Sequence, residues 1–332
     1  MLPAPPRRAD VLLDWREHER GLPLSASDFD ILAVGYVIEG RWRVSKCLMA
    51  GGMGAVYEAA HVRTGRRAAV KVMRPDLLES AEMRDRFRKE TMLTASLESD
   101  HIVGVLDGGL DAASRSPFLV MELLRGNDLA TEITEKDRLA VPDALAYLKQ
   151  VAVGLDKAHE AGIVHRDLKP DNLFLTRRDR GAPCIKILDF GIAKVVAESM
   201  SAAKTTRALG TPVYMAPEQI RGEGTIGPSA DIYALTHVAY ALLVGHAYWQ
   251  TEFDRLKNVY PLMLAIMGGL TEAPTARARV RGVELPPSFD AWMRRGAALD
   301  PLHRPDGAPA LIEELEDALA GEVPPTVTDR AP

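Results

Sequence analysis

The hydrophobic pattern of this chain changes once along its length, and that change limits the folds it can form. From residue 41 to about residue 122, short β-type runs alternate with turn residues, as in RWRVSKCL, AVYEAAHV, RRAAVKVM, HIVGVLDGGL and PFLVMELL. One helical segment, AEMRDRFRKETMLTASLE, interrupts them, with Met83, Phe87 and Thr91 at helical spacing. Beyond this region the pattern is mostly helical. We therefore predict an α+β protein with a small β-rich part containing one main helix and a larger, mostly helical part.

Two segments of the helical part have strong apolar patterns. In VPDALAYLKQVAVGLDKAHEAG, apolar residues from Leu145 to Leu155 follow i, i+3, i+4 spacing, and Gly162 is the expected stop. Residues 232–244, IYALTHVAYALLV, are the most apolar window, but they are too few to span a bilayer. We predict that this window is a buried core helix.

Composition and charge narrow the functional class. The 332 residues are 47% hydrophobic, enough for one large domain or two lobes. The net charge of -5 and the lack of a basic stripe argue against a nucleic-acid partner. Cys47 and Cys184 match no metal-ligand spacing, and we expect two free thiols. The N-terminus lacks the apolar run of a signal peptide, so we expect a cytoplasmic protein with no membrane anchor in this chain.

The two ends differ from the rest of the chain. Residues 1–37 start with the proline-rich LPAPPRR and continue with ADVLLDWREHER, which can form an amphipathic turn or two. We expect this N-terminal extension to be partly disordered, and either to pack on the main domain or to bind a partner. Residues 321–332 are again proline-rich, and a disordered tail is expected.

The stretch LMAGGMGAVYEA, residues 48–59, resembles a phosphate-covering glycine loop. A G-x-G-x-x-G pattern that ends at Gly54 has its second glycine at Gly51, and its first position holds Met49 instead. Alone this is a weak signal, because glycines between two strands more often form a simple turn. Downstream, Lys71 lies in the strand-like AAVKV and Glu90 on the following helix. Lys71 can be a cation that binds phosphates, with Glu90 as its carboxylate partner. The alternative is that Lys71 is an ordinary exposed strand lysine and Glu90 lies on a solvated helix face.

The segment IVHRDLKPDNLFL, residues 163–175, is the most specific stretch of the chain. Asp167 can accept or align the proton of an attacking hydroxyl, and Lys169 can neutralise charge on a transferring phosphoryl group. Asn172 can bind Mg²⁺ through its amide oxygen. Asp189, in LDFG 17 residues later, can hold the same cation. An ordinary strand-ending aspartate is the alternative for a lone LD pair.

With GTPVYMAPEQI at residues 210–220, this ordered motif set resembles the eukaryotic-type protein kinases, most closely the bacterial Ser/Thr kinases. The resemblance covers about residues 38–320. It implies a bilobal kinase-like fold, with an N-lobe at 38–124 and a C-lobe at 125–320. It also implies a non-specific serine/threonine protein kinase that uses ATP and Mg²⁺, with Mn²⁺ as a substitute.

The same resemblance assigns roles to residues of this chain. Lys71 binds the α- and β-phosphates and pairs with Glu90; Asp167 is the catalytic base, and Lys169 steadies the γ-phosphate. Asn172 and Asp189 hold the metal. Met121 is the gatekeeper, and residues 122–124 form the adenine-binding hinge. The expected nucleotide-binding residues are Leu48, Met49, Ala50, Gly51, Gly52, Met53, Gly54, Val56, Ala69, Lys71, Met121, Glu122, Leu124 and Phe174.

Further implications concern regulation and support. DLKPDN and Thr211 are typical of Ser/Thr specificity. Arg166 is implied to anchor a phosphate on the activation segment, and Thr205 or Thr206 is the expected autophosphorylation site. Glu218 pairs with Arg304, and Asp231 holds the backbone of residues 163–175 through hydrogen bonds.

Two functions remain open on the sequence alone. One is an active kinase; the other is a pseudokinase, an ATP-binding scaffold without transfer. Family members without phosphoryl transfer usually lack a residue that corresponds to Lys71, Asp167, Asn172 or Asp189. This chain keeps all four. Each such group contributes several kcal/mol at the transition state, so we favour the active enzyme. An adaptor role for the N-terminal extension is compatible with either function.

Overall fold

The computed structural model describes most of the chain, namely residues 32–51, 54–75, 80–177, 181–190, 212–222, 225–256 and 258–321. These residues form two compact units. The first contains residues 32–96 and 104–124, and the second contains residues 97–103, 125–190 and 212 onward. The predictions for residues 1–31 and 322–332 lie outside the described residues.

The first unit is a six-stranded antiparallel sheet with one helix, in the strand order β1-β2-β3-β4-β6-β5. Its elements are β1 (Val37–Ile38), β2 (Trp42–Gly51), β3 (Gly54–His61), β4 (Arg67–Met73), α1 (Ala81–Ala95), β5 (Val105–Leu110) and β6 (Pro117–Glu122).

The two faces of this sheet carry different residues. Side chains alternate along each strand, so directly paired residues of neighbouring strands share a face. On one face Tyr57 pairs with Val70, and Val70 with Val120; all three are buried in the core of this unit. On the opposite face Val56 pairs with Lys71. The small apolar core therefore fixes which side of the sheet Lys71 projects from.

Gly54 is required by the sheet itself. Its φ of 149° lies in a region that L side chains rarely adopt. A Cβ at this position would lie 2.1 Å from the backbone oxygen of Val72 on β4. Only glycine allows β3 to begin this close to β4.

Helix α1 confirms the one main helix predicted for this unit. The hydroxyl of Ser80 caps its N-terminus by accepting the N–H of Met83 at 3.1 Å. Phe87 and Thr91 are buried. A Cβ on Gly108 of β5 would lie 2.9 Å from the methyl group of Thr91, so the glycine allows the helix to pack closely against the strand.

The predicted strand HIVGVLDGGL is wrong for its first four residues, since β5 begins only at Val105. Ile102 forms an isolated parallel bridge with Ile187, and the Ile187 N–H donates to the His101 carbonyl at 2.9 Å. Burial explains the split, because Ile102 is 1% exposed and belongs to the apolar core of the second unit.

The second unit is mostly helical, as predicted. Its helices are α2 (Leu129–Lys136), α3 (Val141–Glu160), α4 (Pro217–Arg221), α5 (Ser229–Val244), α6 (Gln250–Leu256), α7 (Val259–Gly268), α8 (Pro274–Val280), α9 (Ser288–Gly296) and α10 (Ala308–Ala320). A small sheet, in the order β7-β8-β9, consists of β7 (Asn127–Asp128), β8 (Leu173–Arg177) and β9 (Pro183–Ile187). This sheet was not predicted from the sequence.

Helix α5 is the centre of the second unit. Every residue from Ala230 to Val244 is buried, which confirms the core helix predicted from the apolar window. It ends at Gly245, where φ is 80° and a Cβ would lie 1.9 Å from the Asp137 carbonyl oxygen. Among the described residues, no helix combines the length and the apolar character needed to cross a bilayer.

His237 is a polar exception inside α5. It is fully buried, with its ring 4.5 Å from the ring of Tyr233 and 6.0 Å from that of Tyr248. Neither of its ring nitrogens has a hydrogen-bond partner among the described residues. Burial lowers the pKa of His237 to about 3, and the charge of Arg304 acts in the same direction.

Because His237 is buried without a hydrogen-bond partner among the described residues, we predict that the free energy of unfolding depends on pH. The unfolded chain binds a proton at this side chain below its ordinary pKa of 6.5, whereas the folded chain does not bind one until about 3. The free energy of unfolding therefore falls as the pH drops through this window, by up to about 1.4 kcal/mol per pH unit. His237→Leu should remove this slope and, since it deletes the unpaired polar atoms, keep or raise stability near pH 7.5 by about 1–3 kcal/mol.

Urea unfolding between about pH 7.5 and about pH 5 measures the slope. His303→Leu is the control, because that side chain is 70% exposed. Identical slopes for wild type and His237→Leu would contradict the prediction.

Candidate active site

Asp231, in the first turn of α5, fixes the backbone at His165 and Arg166 by hydrogen bonds. Its Oδ2 accepts the backbone N–H of His165 at 2.8 Å, and its Oδ1 accepts that of Arg166 at 2.8 Å. Oδ2 also accepts from Nε2 of His159 at 2.8 Å. The carboxylate is buried at the N-terminal end of the helix, where the helix dipole favours negative charge. This is the support that the resemblance implied for Asp231; the third partner, His159, was missed because nothing in the sequence links it to Asp231.

His165 connects this segment to the residues around Asp189. Its Nε2 lies 2.8 Å from the carbonyl oxygen of Leu188, so in the neutral ring Nε2 carries the hydrogen and donates. Its Nδ1 then accepts the backbone N–H of Asp167 at 3.2 Å. The buried ring also packs at 4.9 Å against that of Phe190.

Two residues of the site have left-handed backbone conformations. The φ of Arg166 is 65° and that of Asp189 is 51°, a region that non-glycine residues rarely adopt. Such residues persist only where the surroundings fix them, and they concentrate at functional sites. For Arg166 part of that fixation is the hydrogen bond from its N–H to Asp231.

Asp167, Lys169 and Asn172 lie together. The Asn172 amide nitrogen donates to the backbone oxygen of Asp167 at 2.7 Å and to its Oδ2 at 3.3 Å. Nζ of Lys169 lies 3.6 Å from the same Oδ2. Asp167 is thus held by a cation and an amide, with its carboxylate partly exposed. Because the Asn172 nitrogen is committed to Asp167, the amide oxygen is the end left to face other groups.

The charges around Lys169 influence each other. Burial raises the pKa of Asp171, and the negative charges of Asp128 and Asp167 act in the same direction. Lys169 acts against them and lowers the pKa of Asp171. Lys169 therefore favours the ionised form of Asp171.

Strand pairing brings Asn172 and Asp189 to the same end of the small sheet. Leu173 pairs with Ile187, and the Leu188 N–H continues the ladder by donating to the Asn172 carbonyl at 2.8 Å. Asp189 is the next residue. An amide oxygen and a carboxylate are hard ligands that suit a cation such as Mg²⁺.

The donor set fits such a cation only as a partial shell. The described part of the chain contains no group of three or more His, Cys, Asp or Glu suited to a metal. Mg²⁺ is commonly bound by one or two protein ligands together with substrate phosphates and waters, so two oxygen ligands are sufficient. Asn172 and Asp189 could supply two ligands of such a shell, with phosphate oxygens and waters as the others.

Five of the predicted nucleotide-binding residues of the first unit share one face of its sheet. Met49 pairs with Val56, Val56 with Lys71, and Ala69 with Met121, on the side opposite the apolar core. Met49 is 65% exposed, whereas Met121 is buried. Four adjacent strands therefore carry these side chains in a common layer.

Other predicted residues have less structural information. Leu48, Ala50 and Gly51 lie on β2 and are exposed. The Glu122 N–H donates to the Gly104 carbonyl at 2.9 Å, so it is not available to a ligand, and Leu124 follows the end of β6.

In the second unit, Phe174 on β8 pairs with Lys186 and points away from the buried Leu173. Five predicted residues lie outside the described residues: Gly52, Met53, Thr205, Thr206 and Thr211. Glu90 lies on α1, and its pairing with Lys71 stays a prediction.

Helix α4 is anchored by the ion pair that the resemblance implied. Arg304 binds Glu218 through two contacts, Nη1 to Oε1 at 2.6 Å and Nη2 to Oε2 at 2.8 Å. The buried guanidinium also donates to the carbonyls of Ser229 and Ala298 and lies 5.1 Å above the ring of Tyr233. A bidentate pair with these extra partners compensates the desolvation of both charges.

Comparison with known proteins agrees with this arrangement. The sequence model described as "Protein kinase domain" matches residues 42–300. The chain is 41% identical over 245 residues to the serine/threonine-protein kinase Pkn1 of Myxococcus xanthus, covering 74% of this chain and 34% of that protein. It is 39% identical over 215 residues to PknA of Mycobacterium tuberculosis, covering 64% of this chain and 48% of that protein. The chain thus spans about a third to a half of the length of these relatives.

Among solved structures, the chain resembles the kinase domain of Mycobacterium tuberculosis PknI. The TM-score is 0.66 at 27% identity, and the match covers 87% of this chain and 100% of the other. The predicted kinase fold class is therefore confirmed.

The Asp231 contacts predict a specific loss of stability. In Asp231→Asn one acceptor oxygen becomes an NH₂ group, which leaves a buried backbone N–H of His165 or Arg166 without its partner. The free energy of unfolding should fall by about 2–4 kcal/mol. Urea denaturation measures this, with Asp137→Asn as the control because that carboxylate is 63% exposed. Equal effects of the two substitutions would refute the role given to Asp231.

Proposed function

The chain belongs to the protein kinase family, and we propose that it transfers the γ-phosphate of ATP to serine and threonine hydroxyls of proteins. The observation that carries this proposal is the grouping of Asp167, Lys169 and Asn172 on a backbone fixed by Asp231 and His165. Each residue has the chemistry that phosphoryl transfer needs at that position.

Asp167 is the group that receives the substrate hydroxyl in this proposal. Its Oδ2 is held by Lys169 and Asn172, and its carboxylate is partly exposed, so an incoming hydroxyl can donate to it. Alignment of the nucleophile and acceptance of its proton are the steps it serves. The Lys169 ammonium lies 3.6 Å from the Asp167 carboxylate, and in this proposal it stabilises the negative charge that develops on the transferred group.

Members of this family use ATP and a divalent metal, and we propose Mg²⁺ for this chain, with Mn²⁺ as a substitute. When bound, the metal neutralises charge on the β- and γ-phosphates. Asn172 and Asp189 are the ligands in this proposal. Their oxygen-only chemistry and their position at the end of the same sheet support it.

Nucleotide binding is assigned to the layer of side chains on the first unit. Lys71 supplies the cation for the α- and β-phosphates and Glu90 its carboxylate partner, while Val56, Ala69 and Met121 contact the adenine. Residues 122–124 supply backbone groups, and Phe174 contributes an apolar surface. The common face of Val56, Ala69, Lys71 and Met121 supports this assignment.

The substrate class and organisation complete the proposal. Pkn1 and PknA are serine/threonine-protein kinases by name. We propose that the substrates of this chain are proteins with serine or threonine acceptors. We also propose that the chain phosphorylates itself at Thr205 or Thr206. We also propose a cytoplasmic location and lobes at 38–124 and 125–320. For residues 1–37 the proposal is either packing on the main domain or binding to a partner.

Phosphate transfer tests the proposed function directly. Wild-type protein with radiolabelled ATP and Mg²⁺ should label itself and a generic basic protein, and Asp167→Asn should reduce the rate by about 10²-fold or more. Asp143→Asn, an exposed aspartate on α3, is the matched control and should leave the rate unchanged. Mass spectrometry then locates the incorporated phosphate. Equal incorporation by wild type and Asp167→Asn would exclude the role of Asp167.

Met49 gives a separate prediction about nucleotide affinity. Its exposed side chain shares a face with Val56, where an apolar contact with the nucleotide's sugar or base is worth about 0.5–1 kcal/mol. Met49→Gly should therefore change KM for ATP by about two- to fivefold and change kcat less. Steady-state kinetics with varied ATP measures both, with Val62→Gly as an exposed control. A large rise in kcat at constant KM would contradict this.

A further inference from the structure

Gln219 on α4 makes two hydrogen bonds in different directions. Its Oε1 accepts the backbone N–H of Ala216 at 3.1 Å, which caps the N-terminus of the helix. Its Nε2 donates to the carbonyl oxygen of Arg166 at 2.8 Å. Only this orientation of the amide satisfies both partners, because an N–H needs an acceptor and a carbonyl needs a donor.

The carbonyl that Gln219 binds belongs to the peptide bond between Arg166 and Asp167. The N–H of the same peptide donates to Nδ1 of His165, and the preceding N–H donates to Asp231. Gln219 therefore holds the one peptide that directly precedes the Asp167 side chain. It does so where Arg166 has a φ of 65°, a conformation that requires external support.

Helix α4 is a firm base for this contact. Glu218, the residue before Gln219, is bound by two contacts to the buried Arg304. Two successive side chains of α4 thus bind different parts of the unit: Glu218 binds the buried Arg304, and Gln219 binds the segment that carries Asp167. The helix begins right after residues 212–216, so its first turn ties that stretch of chain to Asp167.

We propose that Gln219 is a positioning residue for phosphoryl transfer, which sets the orientation of the Arg166–Asp167 peptide and thereby the direction of the Asp167 carboxylate. This inference rests on the proposed kinase activity. It assigns to Gln219 a task distinct from capping α4, and the two tasks use different ends of the same amide.

The two ends can be separated by substitution. Gln219→Glu has almost the same shape and keeps an oxygen to accept the Ala216 N–H, but it presents an oxygen to the Arg166 carbonyl and loses the donor. Gln219→Met loses both bonds. Gln150→Glu is the matched control, since Gln150 also bridges two elements, accepting the Ile185 N–H at 2.9 Å and donating to the Pro183 carbonyl at 3.5 Å.

Kinetics and hydrogen exchange give independent readouts. We expect Gln219→Glu to lower kcat about tenfold, with KM for ATP changed less than about twofold, because misdirection of one catalytic group affects the transition state more than ground-state binding. Backbone amides of residues 163–172 should exchange faster in Gln219→Glu at an unchanged Tm. Gln150→Glu should match wild type in both measurements.

Several outcomes would overturn the inference. Normal kcat and exchange in Gln219→Glu, with defects only in Gln219→Met, would mean that Gln219 is merely a cap. Faster exchange throughout the second unit with a lower Tm would mean a general structural role. If wild type transfers no phosphate, the proposed function fails, and exchange at residues 163–172 still decides whether Gln219 fixes this peptide.

Discussion

The buried carboxylate of Asp231 is the interaction on which the site depends. Three donors converge on it, two from the backbone that carries Asp167 and one from His159 on α3. It lies on helix α5, which is buried from Ala230 to Val244, so the backbone that carries the reactive residues is attached to the central helix of the second unit. A carboxylate is tolerated in such a buried position because three N–H donors bind it and the helix terminus favours negative charge.

Much of the fold could be predicted from the sequence, because local patterns determine it. The apolar window at residues 232–244 became α5, and the helical repeat after Val141 became α3. The run from His101 to Leu110 failed for a non-local reason: its first residues belong to the core of the other unit. The small sheet β7-β8-β9 was missed because two of its strands lie more than forty residues apart along the chain.

The site could be predicted only in part. The order of the motifs identifies Asp167, Lys169, Asn172 and Asp189, because the type and spacing of these residues are enough to predict their chemistry. The residues that orient them are different: His159 and Gln219 act through hydrogen bonds to residues 72 and 53 positions away. Histidine and glutamine are common surface residues, so neither attracts notice before the chain is folded.

Glycines of the same motif can be required for two different reasons, folding or ligand binding, and Gly54 is required for folding. Because the backbone of β4 excludes any side chain there, a relative that had lost nucleotide binding altogether would still retain this glycine in order to fold. Among the described residues, nothing lies within 4 Å of a Cβ built on Gly51, so this part of the fold does not require glycine there. Among homologous chains, substitution at position 51 should therefore mark the decay of activity, whereas the persistence of glycine at position 54 carries no information about it.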